Sequence, residues 1–134
     1  MEIKITLPGN KKVRAEWDGF SIETDQPVKD GGEGTAPSPY DYFMASIGTC
    51  AGFYVLSFCQ KRDIPTKNIT LMQKLEYGKK PDGKEFLEKI VIEIAVPPDF
   101  PVKYHDAIIK VAEQCAVKKT IMNPPIFEIK TIVK

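Results

Sequence analysis

Histidine and tryptophan occur once each in the 134 residues, as His105 and Trp17, and only two of the 19 basic residues are arginine, Arg14 and Arg62. A single imidazole means that a Cys–His or Ser–His hydrolase would have to rest on His105 alone. Two arginines leave few bidentate phosphate clamps. Net charge is scarce as well: 19 basic against 18 acidic side chains give +1. That balance makes no global electrostatic case for a nucleic acid or a membrane surface as partner. Three cysteines cannot build a disulfide framework, and the absence of any CxxC or HxxxH spacing argues against a metal site. The N-terminal MEIKITLPGN is charged from its second residue, unlike a secretory signal, so a cytoplasmic protein is expected.

Hydrophobic residues make up 43% and charged residues 28%, ordinary values for a soluble domain of this length. One domain, 1–134, is expected. Residues 42–60 carry no formal charge, a run within the length range of a membrane span. Ser46, Gly48, Thr49, Gly52 and Ser57 lie within it, and the rest of the chain is amphipathic, so the run reads as a buried core helix rather than a membrane anchor.

Alternating apolar residues predict strands at 2–7 and 12–17, and Asp18-Gly19 is a short hairpin signal leading into a third strand at 20–24. The Gly-, Pro- and acid-rich loop 25–37 is expected to be too polar to pack; its Gly31-Gly32-Glu33-Gly34 is not a GxGxxG phosphate loop. Ser38, Pro39 and Asp41 form a capping-box signature for a helix running to about Arg62, which Ile64-Pro65 ends. Ile69, Leu71, Leu75 and Tyr77, interrupted only by Gln73, predict a fourth strand, and Phe86 to Val96 a fifth. A second helix from about Pro101 carries Tyr104, Ile108, Val111 and Cys115 on one stripe, and Phe127, Ile129 and Val133 alternate in a last strand. The order β-β-β-α-β-β-α-β indicates an α+β fold with a largely antiparallel sheet and two central helices. The first helix has no charged face, so a lone protomer would expose Phe43, Phe53, Tyr54, Leu56 or Phe58 whichever way it is rotated. A symmetric homodimer with the helices held between two sheets would solve that problem.

Cys50 and Cys59, nine residues apart on one helix, point to opposite faces and cannot pair with each other. Cys115 has Lys118 and Lys119 at i+3 and i+4, where two ammonium groups would favour its thiolate. Its stripe faces the core, so Cys50 and Cys115 can meet across a helix pair; on the residues alone, burial of all three cysteines as small hydrophobes is the favoured reading. His105 lies about 15 Å along the helix from Cys115, too far to serve it as a base. A surface or capping role is expected for it. Trp17, Phe20 and Tyr40 are core residues or pocket walls.

The stretch Gly32-Glu33-Gly34-Thr35-Ala36-Pro37-Ser38-Pro39-Tyr40-Asp41, running into Ala45-Ser46-Ile47-Gly48-Thr49-Cys50, resembles the OsmC/organic hydroperoxide resistance superfamily, as does Glu113-Gln114-Cys115-Ala116-Val117-Lys118-Lys119-Thr120. The resemblance implies an OsmC-like fold and an intertwined homodimer. It also implies a thiol-dependent peroxidase in which Cys50 attacks an organic hydroperoxide, Cys115 resolves the sulfenic acid as a disulfide, and a dithiol or thiol reductant regenerates the pair. No haem, flavin or other cofactor is implied. The family's peroxidases place Glu directly after the helix-start proline, and this position is Tyr40. They also hold the thiolate with an Arg from the turn between the first two strands. Arg14, just beyond that turn, would take the role here, although alternation puts it on the polar side of its strand. The family's usual proline after the resolving cysteine is Ala116. Tyr40, Asp41, Phe53, Lys11, Lys118 and Lys119 complete the expected pocket. The alternative is a non-catalytic member holding a small apolar or thiol-containing ligand.

Overall fold

The elements form where side-chain periodicity and turn chemistry demand them, in a computed structural model that describes residues 1–134. The chain divides into two compact units, residues 1–46 and 47–134. In the first, β1 (Lys4–Gly9), β2 (Lys12–Trp17) and β3 (Phe20–Thr24) pair antiparallel, with Ile5 opposite Ala15 and Ala15 opposite Ile22. Asp18 and Gly19 both take positive φ, 44° and 81°, the conformation that a two-residue hairpin turn requires.

Loop 25–37 departs from the sequence expectation. It is polar, and it packs around a carboxylate. Asp25 is fully buried, and its oxygens accept bonds from the Thr35 hydroxyl (2.7 Å), Thr35 N (3.1 Å), Gln26 N (2.7 Å) and Glu33 N (3.3 Å). These donors, the Thr35 hydroxyl foremost, hold its pKa down to about 2. Gly32 is required there, because a Cβ would collide with the backbone of Gln26. Asp25 N–H also donates to Pro37 O at 3.2 Å, tying the loop to the residue just before the first helix's cap.

That helix, α1 (Pro39–Gln60), begins with the expected capping box: Ser38 N–H donates to Asp41 Oδ2 (3.0 Å) and Asp41 N–H to Ser38 Oγ (3.2 Å). Its buried stripe is Met44, Ile47, Ala51, Val55 and Phe58, at helical spacing. Tyr40, Phe43, Phe53 and Leu56 stay exposed, so the uncharged outer face expected from the sequence is real. α1 is also long and apolar enough to cross a bilayer, a property that core helices of soluble proteins share.

In the second unit, β4 (Thr70–Lys79) and β5 (Glu85–Ala95) form a two-stranded antiparallel sheet. Val55, Phe58 and Cys59 pack with Phe100 and with Ile108 of α2 (His105–Ala112), and Leu71 and Ile94 lie against them. Burying each such aliphatic or aromatic side chain contributes about 1.5–3 kcal/mol.

The α+β class and the antiparallel pairing agree with the sequence reading, while two details differ. The second helix is not continuous: α2 ends at Ala112 and α3 (Ala116–Met122) restarts after Cys115, whose ψ of 122° breaks the helical path. The last strand has no partner within the chain. Residues 123–134 form no ladder, and Ile126, Phe127, Ile129 and Val133 are almost wholly exposed.

Candidate functional site

The break at Cys115 creates the site. Cys115 is the N-cap of α3, and its Sγ accepts the Lys118 N–H at 3.4 Å. The amides of the first helical turn have no intrahelical acceptor. Two of them, Ala116 N–H and Val117 N–H, donate to the Cys50 sulfur, and so does the Cys115 thiol. Burial alone would push the Cys50 pKa up, but these three donors outweigh it and leave the thiol below its ordinary value. Cys115 moves the opposite way: burial raises its pKa, and donating to Cys50 raises it further. The two groups are thus shifted in opposite directions, Cys50 toward its thiolate and Cys115 toward its thiol. Cys50 is partly exposed and Cys115 is buried.

Where the sequence pointed to an ammonium or guanidinium, the donors at Cys50 are neutral. Lys118 meets Cys115 through its backbone N–H, which favours the Cys115 thiolate without a side-chain charge, and Lys119 Nζ bonds Gln114 Oε1 at 2.8 Å. Arg14 pairs across its sheet with Glu23 at 2.9 Å. Asp41 is engaged in the α1 cap, and Tyr40 lies beside Phe43 with ring centroids 6.4 Å apart. Phe53 is 59% exposed and meets the Tyr54 ring edge-on. Lys11 is exposed in the β1–β2 turn. His105 stacks on Phe100 at 5.7 Å. Cys59, fully buried in the second unit's core, has its pKa raised by burial.

Just upstream of Cys50, α1 passes close to β4. Gly48 is two residues before Cys50, and a Cβ at Gly48 would come to 2.5 Å from Gln73 Oε1. The glycine thus lets the helix approach the one polar residue in the apolar stripe of β4. A groove of about 880 Å³ runs along β5, α2 and α3, walled by Ile47, Ala51, Ile92, Ile94, Ile108 and Ile109. Lys118 and Glu113 also line it.

Sequence reasoning missed the neutral donors, because neither Gly nor Pro marks the helix break at Glu113–Cys115. It missed Asp25 too, although an aspartate followed by Gly31-Gly32-Glu33-Gly34-Thr35 is the pattern of a loop that can turn its amides inward.

The profile of the family described as OsmC-like protein matches residues 32–130 of the chain. The chain belongs to the OsmC-like family. Both Cys50 and Cys115 fall within the matched residues, and among solved structures the OsmC-like fold recurs at low identity. A Psychrobacter arcticus protein, proposed as an osmotic stress induced and detoxification response protein, aligns with a TM-score of 0.70 at 22% identity, over 88% of this chain and 85% of that one. The organic hydroperoxide resistance protein OsmC of Legionella pneumophila gives 0.59 at 18% identity, over 90% and 89%. An organic hydroperoxide resistance protein of Elizabethkingia anophelis gives 0.58 at 20%, over 92% and 90%. No curated protein sequence matches the chain.

Proposed function

We propose that this OsmC-like protein is a thiol-dependent hydroperoxide reductase acting on organic hydroperoxides in defence against oxidative stress. The observation that carries this reading is the hydrogen bond between Cys50 and Cys115, thiols 65 residues apart in the chain. The sulfur with the lowered pKa is the accessible one. The names of the Legionella and Elizabethkingia proteins support the substrate class.

In this reading the Cys50 thiolate attacks the terminal oxygen of ROOH and the O–O bond breaks. The alkoxide leaves and takes a proton to become the alcohol, and Cys50 becomes a sulfenic acid. The Cys115 sulfur then attacks that sulfenic sulfur, forming the Cys50–Cys115 disulfide and releasing water. A dithiol or thiol reductant reopens the bond by exchange. Phe53, Lys118 and Lys119, in the same unit as the two cysteines, are proposed to flank the substrate path. For Arg14 the proposal is narrower: its guanidinium is taken up by Glu23, and the neutral donors stabilise the Cys50 thiolate.

The partner is a second copy of this chain. The uncharged outer face of α1 and the unpaired, alternating segment 126–133 both need cover that the protomer does not supply. Light scattering should give a dimer at micromolar concentration; a monomer would remove this part of the reading.

The chemical test is peroxide consumption. Cys50→Ser should abolish it, and protein oxidised with cumene hydroperoxide should contain the Cys50–Cys115 bond in a non-reducing peptide map. Cys50 left unmodified by excess cumene hydroperoxide would sink the proposal. The apolar groove favours a second reading, binding of a small apolar or thiol-containing ligand without turnover. Fast peroxide turnover together with silent thermal-shift ligand screens would reject it.

A further inference from the structure

Cys115 makes more contacts than a resolving thiol needs. The residue is 2% exposed; its sulfur accepts the Lys118 N–H at 3.4 Å, is within donating distance of the Ile47 carbonyl oxygen at 3.9 Å and hydrogen-bonds Cys50. A thiol has one proton and can accept through its lone pairs. Capping α3 uses a lone pair, which leaves the proton for either Ile47 O or the Cys50 sulfur. The carbonyl contact is long even for sulfur. A bond to an ionised acceptor is about twice as strong as a neutral one, so the proton turns to Cys50 once that sulfur is charged. The cap has a second effect: it fixes the first turn of α3, the turn that aims Ala116 N–H and Val117 N–H at Cys50.

We propose that Cys115 is a positioning and activating residue for Cys50, donating its S–H to the Cys50 sulfur while capping α3 so that two backbone amides face the same atom. This deepens the reading of Cys50 as the nucleophile, but it concerns reactivity before any disulfide forms. It is therefore tested with an electrophile instead of a peroxide, and the two ideas can fail separately. The high pKa of Cys115 fits the role, because a donor must keep its proton while its neighbour is anionic.

The experiment measures iodoacetamide modification of Cys50 in the native full-length chain, by peptide mapping across pH. The variants are Cys115→Ser, Cys115→Ala and Cys115→Val. Serine caps helices well and keeps a donor. Alanine and valine remove both functions, and valine, slightly larger than cysteine, leaves no void. The Ser variant should react within about twofold of the parent near neutral pH. The Ala and Val variants should react on the order of five- to tenfold more slowly, as losing one to two hydrogen bonds implies, with the pH profile displaced upward. Amide exchange at residues 116–119 should quicken in the Ala and Val variants only. Parent-like rates and profiles in the Ala and Val variants would overturn the proposal, as would a Ser variant as slow as they are. Loss of peroxide turnover in Cys115→Ser with its alkylation rate intact would leave the proposal standing and separate activation from resolution.

Discussion

Replacing Ala116 by proline separates the two explanations for a reactive Cys50, a neutral backbone donor and a nearby cation. Ala116 is the first helical residue of α3, where an amide has no intrahelical acceptor and proline fits well. The residue before a proline must be extended, and Cys115 already has φ −47° and ψ 122°. Ala116→Pro therefore removes one hydrogen-bond donor from the Cys50 sulfur and no charge. A single hydrogen bond contributes about 0.5–1.5 kcal/mol net, so Cys50 alkylation near neutral pH should slow by roughly two- to twelvefold. Stability should hold or rise by about 0.4–1 kcal/mol, because proline restricts the unfolded chain. The assay is pH-dependent iodoacetamide labelling of Cys50 read by mass spectrometry, with urea unfolding alongside. An unchanged labelling rate in a folded Ala116→Pro protein would refute the role of the amide. A more than tenfold loss in Lys118→Met/Lys119→Met, relieved by salt, would return the role to the ammonium groups.

Asp25 makes acid stability a test of the loop. Its folded pKa, about 2, lies below the ordinary 3.8, so its contribution is fully present above about pH 4 and is lost as pH falls toward 2. Asp25→Asn should already unfold several degrees lower at pH 7 and should lack that part of the acid limb in pH-dependent melting; coincident acid limbs would contradict the assignment. Phe58 stacks edge-on with Tyr104 at 5.4 Å and carries Arg62 3.7 Å above its ring. Phe58→Leu, which keeps most of the apolar burial, should cost about 1–2.5 kcal/mol in urea unfolding. A double-mutant cycle with Arg62→Met should return about 0.5–1 kcal/mol of coupling, and a null coupling would remove the cation–π contact from the account.

What could be read from the sequence was local. The Ser38–Asp41 capping box, the Asp18-Gly19 turn and the alternation of β4 and β5 are set by residues within a few positions of one another, and each forms where expected. The end of the second helix was hidden, because Tyr104, Ile108, Val111 and Cys115 keep helical spacing straight through a break that only the backbone at Cys115 reveals. Segment 126–133 alternates as a strand should, but a ladder needs a neighbour and alternation names none. The thiol pair was reachable because Cys115 lies on the buried stripe. The groups that tune Cys50 were not, since backbone amides look alike at every position until the fold exposes a few of them.

The separation of the two sulfurs along the chain has a mechanical consequence. A bond between Cys50 and Cys115 would close a 65-residue loop, threading α1, the β4–β5 hairpin and α2 into a single ring. Loop-closure entropy assigns such a ring about 4 kcal/mol against unfolding. The spent, oxidised molecule would then be the hardier one, and heat would discriminate between redox states without any dye or substrate.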